Sequence, residues 1–223
     1  MGKQTISVRV LDESARDELQ RAFDRLEAEL GIEWLAATLT TAILELIENA
    51  VKANLKRVFF QVHNYRLDDP DSYAAGIRHF KQEFPSVSKD DYRKSLEDLN
   101  LMVSVEVDLD QDRLLVFVEN NTLLLTAEEE RIRRQLARAM KAPDLLEFSV
   151  QYGDETEGSG LGLAMIVFLI RTLGFKPELF RIYNQVDRTM ARLEFPLNAS
   201  YVSLRERYER EQGLKVRTLS GSP

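Results

Sequence analysis

The sequence predicts an α+β fold, in which helices cover one face of a mixed, mostly antiparallel sheet. Two observations predict it: helical and strand-like segments are mixed along the chain, and strand-like segments follow one another directly in its second half. The chain has 223 residues, of which 44% are hydrophobic and 30% are charged. That length and composition suit a large buried core with a charged surface.

The first third of the chain predicts two strands that flank two helices. Residues 5–11 alternate apolar and polar side chains, as a half-buried strand does. Helical periodicity follows over residues 15–30 and again from residue 32 to about Asn54. Residues 57–64, RVFFQVHN, are rich in β-branched and aromatic side chains, and we interpret them as the second strand.

The middle of the chain predicts a helical segment and then a hairpin. Residues 65–99 contain a turn, two short helical patterns and a helix cap at Ser88. Residues 101–110 and 113–120 are strand-like and are separated by a short polar turn, which predicts a β-hairpin.

The last third predicts three helices and two strands. A helix capped by Thr126 runs to about Lys141, and an apolar helix follows a cluster of glycines. Residues 178–183 and 189–197 predict two strands, and residues 200–213 predict a charged, amphipathic helix.

The composition excludes several kinds of site. The chain has no cysteine, which excludes disulfides, thiolate metal ligands and cysteine nucleophiles. Its net charge of −7, with basic clusters interleaved with glutamates, argues against nucleic-acid binding, which needs a basic surface. No apolar run reaches the ~18 residues of a membrane span, and no signal segment precedes the first strand. We therefore expect no membrane partner and a cytoplasmic location.

A glycine cluster is the first candidate for a binding site. In EGSGLGLAM, residues 157–165 (the glycine segment), Gly158, Gly160 and Gly162 alternate with other residues just before the apolar helix. Glycine allows close backbone approach, and a helix N-terminus presents unpaired N–H groups, so together they favour an anion. The same pattern also fits a loop that joins a buried helix. It matches neither the dinucleotide fingerprint nor the Walker loop.

A second candidate lies upstream, in ELIENAVKAN, residues 45–54 (the N-box-like segment). At 100° per residue, Asn49, Lys52 and Lys56 fall within about 40° of Glu45 on one helix face. The carboxylate can accept a proton from water, the amide oxygen suits Mg²⁺, and the ammonium suits a phosphate. An ordinary solvated face with a Glu48–Lys52 ion pair is the alternative, although asparagine is unfavourable inside a helix.

Together, these two segments resemble the N box and the last glycine box of the GHKL superfamily of ATP-binding domains, which includes gyrase, Hsp90, sensor histidine kinases and MutL. TMARLEFPL resembles the strand that closes a histidine-kinase ATPase domain, so the resemblance covers roughly residues 30–198. It implies a two-layer α/β sandwich of the Bergerat type, with ATP between the sheet and a mobile lid over residues 126–157. We expect an ATPase domain over residues 1–198 with an insertion at about 65–99, and a C-terminal helix and tail over 199–223.

The resemblance also implies roles for single residues, with ATP and Mg²⁺ as cofactors. Asn49 would bind Mg²⁺, Lys52 would lie near the phosphates, and Glu45 would be the catalytic glutamate that activates water in the gyrase and MutL branch. The implied phosphate loop contains Gly158, Gly160 and Gly162, with Leu161 and Leu163 turned into the core.

The middle box departs from the family pattern. In VENNTLLLT, residues 118–126 (the middle segment), Asn120 stands where the family has the aspartate that accepts the adenine amino group. Thr122 and Leu124 stand where it has glycines. An asparagine oxygen can accept the same hydrogen bond, but a charge-assisted bond is about twice as strong. Weakened, altered and absent nucleotide binding are all compatible with this change.

Three functions therefore stay open. The first is a stand-alone ATP-binding protein that regulates or phosphorylates a partner protein in bacterial signalling. Neither His63 nor His79 has a phosphoacceptor context, so the chain is not a sensor kinase that acts on its own upstream histidine. The second is a slow ATPase with Glu45 as general base. The third is a pseudo-ATPase that serves as an interaction module. The sequence leaves open the partner and whether the chain forms a homodimer.

Overall fold

The computed structural model describes residues 4–30, 33–86, 89–152 and 161–213. Within them, five strands form one sheet of order β1-β2-β3-β5-β4, in which every neighbouring pair is antiparallel. The α+β prediction is confirmed, with a wholly antiparallel sheet in place of the mixed one. The strands are β1 (Gln4–Val8), β2 (Val103–Leu109), β3 (Arg113–Asn120), β4 (Arg181–Gln185) and β5 (Arg188–Pro196).

Eight α-helices accompany the sheet in the described part of the chain. None of those helices is both long and apolar enough to cross a membrane. The helices are α1 (Glu13–Leu30), α2 (Glu33–Val62), α3 (Pro70–Glu83), α4 (Arg93–Asp98), α5 (Thr126–Lys141), α6 (Leu145–Tyr152), α7 (Leu161–Thr172) and α8 (Leu204–Glu211).

The core lies between one face of the sheet and the helices α2 and α7. In β2, Val103, Val105 and Val107 are buried and alternate with half-buried residues, as the period of a strand requires. Ile47 of α2 and Ile166 of α7 belong to the same buried cluster. This packing holds the N-box-like segment and the start of α7 over the same face of the sheet.

The strand predicted over residues 57–64 is wrong, because α2 continues as one helix to Val62. The apolar residues that suggested a strand are buried on two sides of this helix. Val58 belongs to the main core, whereas Phe59 and Phe60 belong to a second cluster that α3 shares. A helix buried on two sides has no one-sided apolar stripe, so its sequence resembles a buried strand.

The predicted insertion at residues 65–99 packs directly against α2. Ile77 and Phe80 of α3 complete the second cluster. The two helices approach so closely that a Cβ added at Gly76 would lie 2.7 Å from Cζ of Phe60. The insertion is therefore a packed part of the domain.

The helix cap predicted at Thr126 is wrong by one residue. Thr126 is the first residue of α5, and Leu125 occupies the cap position. The Leu125 N–H donates to Oε2 of Glu128 at 3.0 Å, so a carboxylate in the first turn replaces the hydroxyl cap. The cap predicted at Ser88 lies outside the described residues.

One short helix, α8, begins against the opposite face of the sheet, although helices were expected on one face only. Glu194 of β5 points to that face and is buried. Its Oε1 accepts from the Tyr201 hydroxyl and from the Leu204 N–H, both at 2.8 Å. A buried carboxylate thus anchors the first turn of α8.

Candidate nucleotide-binding site

One cavity of about 420 Å³ is lined by segments that are far apart in the chain. The N-box-like segment of α2 forms one wall, and the middle segment, which begins at the end of β3, forms another. The first turn of α7, the buried side of α5, the end of α3 and residues of β4 and β5 also line the cavity. Of the residues singled out in the sequence, those that line the cavity are Glu45, Glu48, Asn49, Lys52, Lys56, Asn120, Thr122, Leu124, Gly162 and Leu163.

Glu45 and Gly162 bring the N-box-like segment and the glycine segment into direct contact. A Cβ added at Gly162 would lie 1.6 Å from Oε1 of Glu45 and 2.3 Å from its Cδ. No side chain larger than a hydrogen fits there while Glu45 keeps its place. A larger residue at this position would therefore require the Glu45 carboxylate, the end of a flexible side chain, to move, a contact that the sequence could suggest but could not locate.

Asn49 is held by Glu45, one turn earlier on α2. Its Nδ2 donates to the Glu45 carbonyl at 2.9 Å and to the Glu45 Oε1 at 2.8 Å. This bond to the carbonyl four residues back accounts for an asparagine inside a helix. Because Nδ2 faces two acceptors, the exposed Oδ1 stays available, and no described residue donates to it.

The arrangement could hold a divalent cation only with help from a ligand. No three histidine, aspartate or glutamate side chains converge to bind a metal within the described ranges. The Asn49 Oδ1 and the Glu45 carboxylate are oxygen donors on the cavity wall. Mg²⁺ is commonly bound by one or two protein oxygens together with phosphates and water, and this donor set fits that pattern.

Lys52 and Lys56 share a helix face but have different environments. Lys52 is half-buried on the cavity wall, with Nζ 5.5 Å from the centre of the Phe84 ring. Lys56 is buried and forms an ion pair with Glu128 of α5. Lys52 therefore stays a candidate for a phosphate contact, whereas Lys56 joins two helices.

Glu128 is a buried carboxylate that sequence reasoning missed. It binds the Lys56 Nζ, and its Oε2 lies 2.5 Å from Nη2 of Arg57. Burial opposes ionisation, but the charge of Lys56 and the hydrogen bonds of Arg57 outweigh it and lower the pKa of Glu128 to about 2. This cluster fixes the N-terminus of α5 to α2. In the sequence it is one of three consecutive glutamates, and nothing there shows which one is buried.

The other end of α5 is fixed as well. The Arg171 guanidinium of α7 donates to the carbonyls of Met140 at 3.0 Å and Ala142 at 2.9 Å. A cation at this position also interacts favourably with the C-terminal end of the helix dipole. Helix α5, the first part of the expected lid, is thus a wall anchored at both ends.

Asn120 lines the cavity and carries a buried acceptor that has no partner among the described residues. The residue is 5% exposed, and its Nδ2 donates to the Ala50 carbonyl at 3.2 Å. Its Oδ1 is buried and has no hydrogen-bond partner among the described residues. The amide orientation is set by the Ala50 carbonyl, because a carbonyl can only accept. An unpaired buried acceptor costs about 1–3 kcal/mol, which a ligand N–H would recover.

Side-chain hydrogen bonds hold the backbone of the middle segment at Thr122 and Leu124. The Thr189 hydroxyl donates to the Thr122 carbonyl at 2.7 Å. The Asn184 side chain accepts from the Leu124 N–H at 2.9 Å and donates to its carbonyl at 3.1 Å. Neither Thr122 nor Leu124 has a positive φ, so the backbone here does not require glycine. The segment keeps its position while both side chains line the cavity.

The rest of the glycine segment is only partly described. Leu163 is buried in the core, and Leu161 is half-buried at the first position of α7. Gly158 and Gly160 lie outside the described residues, as do residues 153–157 of the expected lid.

The two histidines lie together but do not line the cavity. The rings of His63 and His79 are 4.8 Å apart at the contact of α2 with α3. His79 Nε2 is 2.7 Å from a Glu83 oxygen, and Phe59 packs against both rings. Their surroundings are those of a packed aromatic cluster.

Comparisons with known proteins give one related sequence. An uncharacterized protein of Treponema pallidum (strain Nichols) is 32% identical over 160 residues, which is 72% of this chain and 31% of the relative. The chain thus spans about a third of the length of that relative. No protein family matches the chain, and no solved structure matches it.

Proposed function

We propose that the chain is a histidine-kinase-like ATP-binding domain that binds Mg-ATP and regulates or phosphorylates a partner protein in bacterial signalling, in the cytoplasm. One observation carries the proposal. Three segments that resemble, or stand in place of, the boxes of a GHKL domain line one cavity of about 420 Å³. Ligand sites are concave spaces of roughly 300–1,000 Å³, so the cavity has a suitable size for a nucleotide.

The middle segment supports binding of an adenine ring. The unpaired Asn120 Oδ1 is a buried acceptor for one N–H, which the adenine amino group would supply. Leu124, Ile182 and Ala191 give the same cavity apolar walls. A flat apolar base with one donating edge is the kind of ligand that these groups fit.

The start of α7 supports binding of phosphates. This helix has 12 residues and begins at Leu161, so the N–H groups of its first turn have no partner within the helix. The positive end of the helix dipole adds to the attraction for an anion. Lys52 supplies a full positive charge to the same cavity, and the Asn49 Oδ1 is an oxygen for Mg²⁺.

A slow ATPase is the second candidate, and the position of Glu45 favours it. Its carboxylate is held by Asn49 and lies against Gly162, at the cavity wall. A carboxylate so placed could take a proton from a water molecule that attacks the terminal phosphate, which yields ADP and inorganic phosphate. Glu45→Gln would then abolish hydrolysis without abolishing binding.

A thermal-shift titration with Mg-ATP tests the proposed function. A ligand at about 100 times its dissociation constant adds about 2.7 kcal/mol to stability, which raises Tm by several degrees. Asn49→Ala should abolish the magnesium-dependent part of the shift. Gln61→Ala, an exposed position of the same helix outside the cavity, should leave it intact.

The absence of any shift at millimolar Mg-ATP would refute the proposal. The fold would then serve as an interaction module, and the partner would be sought without nucleotide. A shift without hydrolysis would favour the regulator or kinase over the ATPase.

A further inference from the structure

Two arginines lie side by side on the outer face of the sheet, the face against which α8 begins. Ile182 of β4 and Ala191 of β5 line the large cavity on the inner face. Because successive residues of a strand point to opposite faces, their neighbours Arg181 and Arg192 point to the outer face. Arg181 and Arg192 are directly opposite each other in the β4–β5 pair, so their side chains are immediate neighbours.

The two guanidinium groups have few anionic partners. Arg192 is 9% exposed, and its Nη2 lies 3.1 Å from Oε2 of Glu194, whose other oxygen is used by Tyr201 and Leu204. The Arg192 Nε is buried and has no hydrogen-bond partner among the described residues. No described residue forms a hydrogen bond or an ion pair with Arg181. A buried donor without a partner is unfavourable, and a ligand that accepts from it would remove this cost.

A third arginine, Arg205 of α8, adds positive charge to the pair. Its Nε donates to Glu209 at 2.6 Å, so that carboxylate is already used. Partial burial and the charges of Arg205 and Arg192 lower the pKa of Arg181, against a smaller opposing effect of Glu209. Because arginine keeps its proton in proteins, the lowered pKa reports repulsion between like charges. Like charges directly opposite on two strands are unfavourable unless an anion lies between them.

We propose that Arg181 and Arg192 form an anion site that binds a phosphate group on the outer face of the sheet. A guanidinium presents paired N–H donors whose spacing matches two phosphate oxygens. A phosphate group carries a charge of about −1.5 to −2 at pH 7 and has three strong acceptor oxygens, so it can bridge both arginines. The site lies on the other side of the sheet from the large cavity, and the inference does not depend on the proposed function.

Titration with inorganic phosphate, followed through the NMR signal of the Arg192 Nε–H group, tests the proposal directly. This N–H is buried and has no described partner, so its signal reports a new acceptor. At constant ionic strength the signal should shift saturably, with a Kd on the order of 1 mM, as two charge-assisted hydrogen bonds allow. Arg192→Lys identifies the signal, because it removes that group.

Arg181→Ala should weaken phosphate binding at least about tenfold, as measured on the same Arg192 signal. The variant should fold as the wild type does, because Arg181 is exposed and has no described partner. If it melts early, Arg181→Gln replaces it. Arg78→Ala is the matched control, since Arg78 of α3 is also exposed and has no described partner. It should leave the titration unchanged.

Two further probes define the ligand. Acetate carries one charge and two oxygens, so it should bind at least about tenfold more weakly than phosphate. N-acetyl-phosphoserine amide carries the phosphate of a modified side chain. Tighter binding of this amide than of inorganic phosphate would assign the site to a phosphorylated protein, and weaker binding would assign it to a free ion.

Three results would overturn the inference. The Arg192 signal could stay in place at phosphate concentrations far above the expected Kd, or shift equally in Arg181→Ala. Acetate could also bind as tightly as phosphate, which would exclude a site selective for a phosphate group. None of these results bears on the large cavity, because Arg181→Ala should bind Mg-ATP as the wild type does.

Discussion

The two ends of the cavity differ in how their backbones are held. At the end proposed to bind phosphates, a side chain at position 162 would displace the Glu45 carboxylate, which occupies its space. At the end proposed to bind the base, Thr122 and Leu124 stand where the GHKL pattern has glycines, and bonds from Asn184 and Thr189 hold the segment. Replacing a glycine therefore forces neighbouring atoms to move only where one of them already occupies the position of the added Cβ. This difference is why we retain a nucleotide site despite the altered middle segment.

The largest expected effect concerns Glu128, which fixes the N-terminus of α5 to α2. Glu128→Gln should lower the free energy of unfolding by about 3–5 kcal/mol at pH 7, because it leaves Lys56 buried without its counter-charge. Urea unfolding monitored by circular dichroism measures it. Glu129→Gln, at a more exposed carboxylate of the same turn, is the matched control and should cost less than about 1 kcal/mol.

The ion pairs of Glu128 should also make the stability of the fold depend on pH. Its folded-state pKa of about 2 lies below the ordinary value of 4.5. The stabilisation is therefore complete above about pH 4.5 and is lost as the pH falls toward 2, and by linkage it amounts to about 3 kcal/mol. The stability of Glu128→Gln should fall less steeply over this range. Parallel curves for variant and wild type would contradict the assigned ion pairs.

The next effect tests the close approach at Gly162. Gly162→Ala should lower the free energy of unfolding by about 1 kcal/mol or less, because the added Cβ displaces the flexible Glu45 carboxylate from its hydrogen bond with Asn49, although a glycine-to-alanine change inside a helix usually stabilises it. The cause should be specific to Glu45. In a Glu45→Ala background, the same change should be neutral or stabilising, because the clashing oxygen is gone. Equal costs in both backgrounds would show that the contact is absent.

The smallest effect on stability is expected at the base end. Asn120→Leu removes a buried acceptor that has no partner among the described residues, but also the hydrogen bond of Nδ2 to the Ala50 carbonyl, so the two effects should nearly cancel and the free energy of unfolding should stay within about 0.5 kcal/mol. Binding of Mg-ATP should nevertheless weaken about tenfold, because the adenine N–H loses its acceptor. Titration calorimetry and urea unfolding on the same variant separate the two effects.

Asn121→Leu is the neighbouring control for this prediction. Asn121 accepts from the Met102 N–H at 2.9 Å and donates to the Asn100 carbonyl at 2.6 Å, and it does not line the cavity. Its replacement should cost stability and leave nucleotide affinity unchanged. If both variants lose stability alike and neither changes affinity, Asn120 is a structural residue.

Local patterns were sufficient for most of the fold. Strand-like runs bounded by polar turns located β2, β3 and β5, although β5 is buried on both faces. Helical periodicity failed at residues 57–64, because α2 is buried there on two sides and loses its polar stripe. A short apolar run buried on two sides can thus be a strand, as in β5, or the end of a long helix, as in α2.

The site was predictable in its motifs but not in its long-range contacts. Glu45, Asn49 and Gly162 stood out by type and spacing, and they line one cavity. The Glu128 cluster joins residues that are 72 positions apart, and no local pattern encodes such a pair. The side-chain bonds of Asn184 to Leu124 span 60 positions, so the effect of Thr122 and Leu124 on the middle segment could not be judged without the structure.

A crystal structure of the chain with Mg²⁺ and a non-hydrolysable ATP analogue tests the central claim most directly. We predict the adenine amino group within hydrogen-bond distance of the Asn120 Oδ1, and the phosphates between the first turn of α7 and Lys52. A nucleotide bound elsewhere, or an empty cavity in crystals grown at millimolar analogue, would contradict the account.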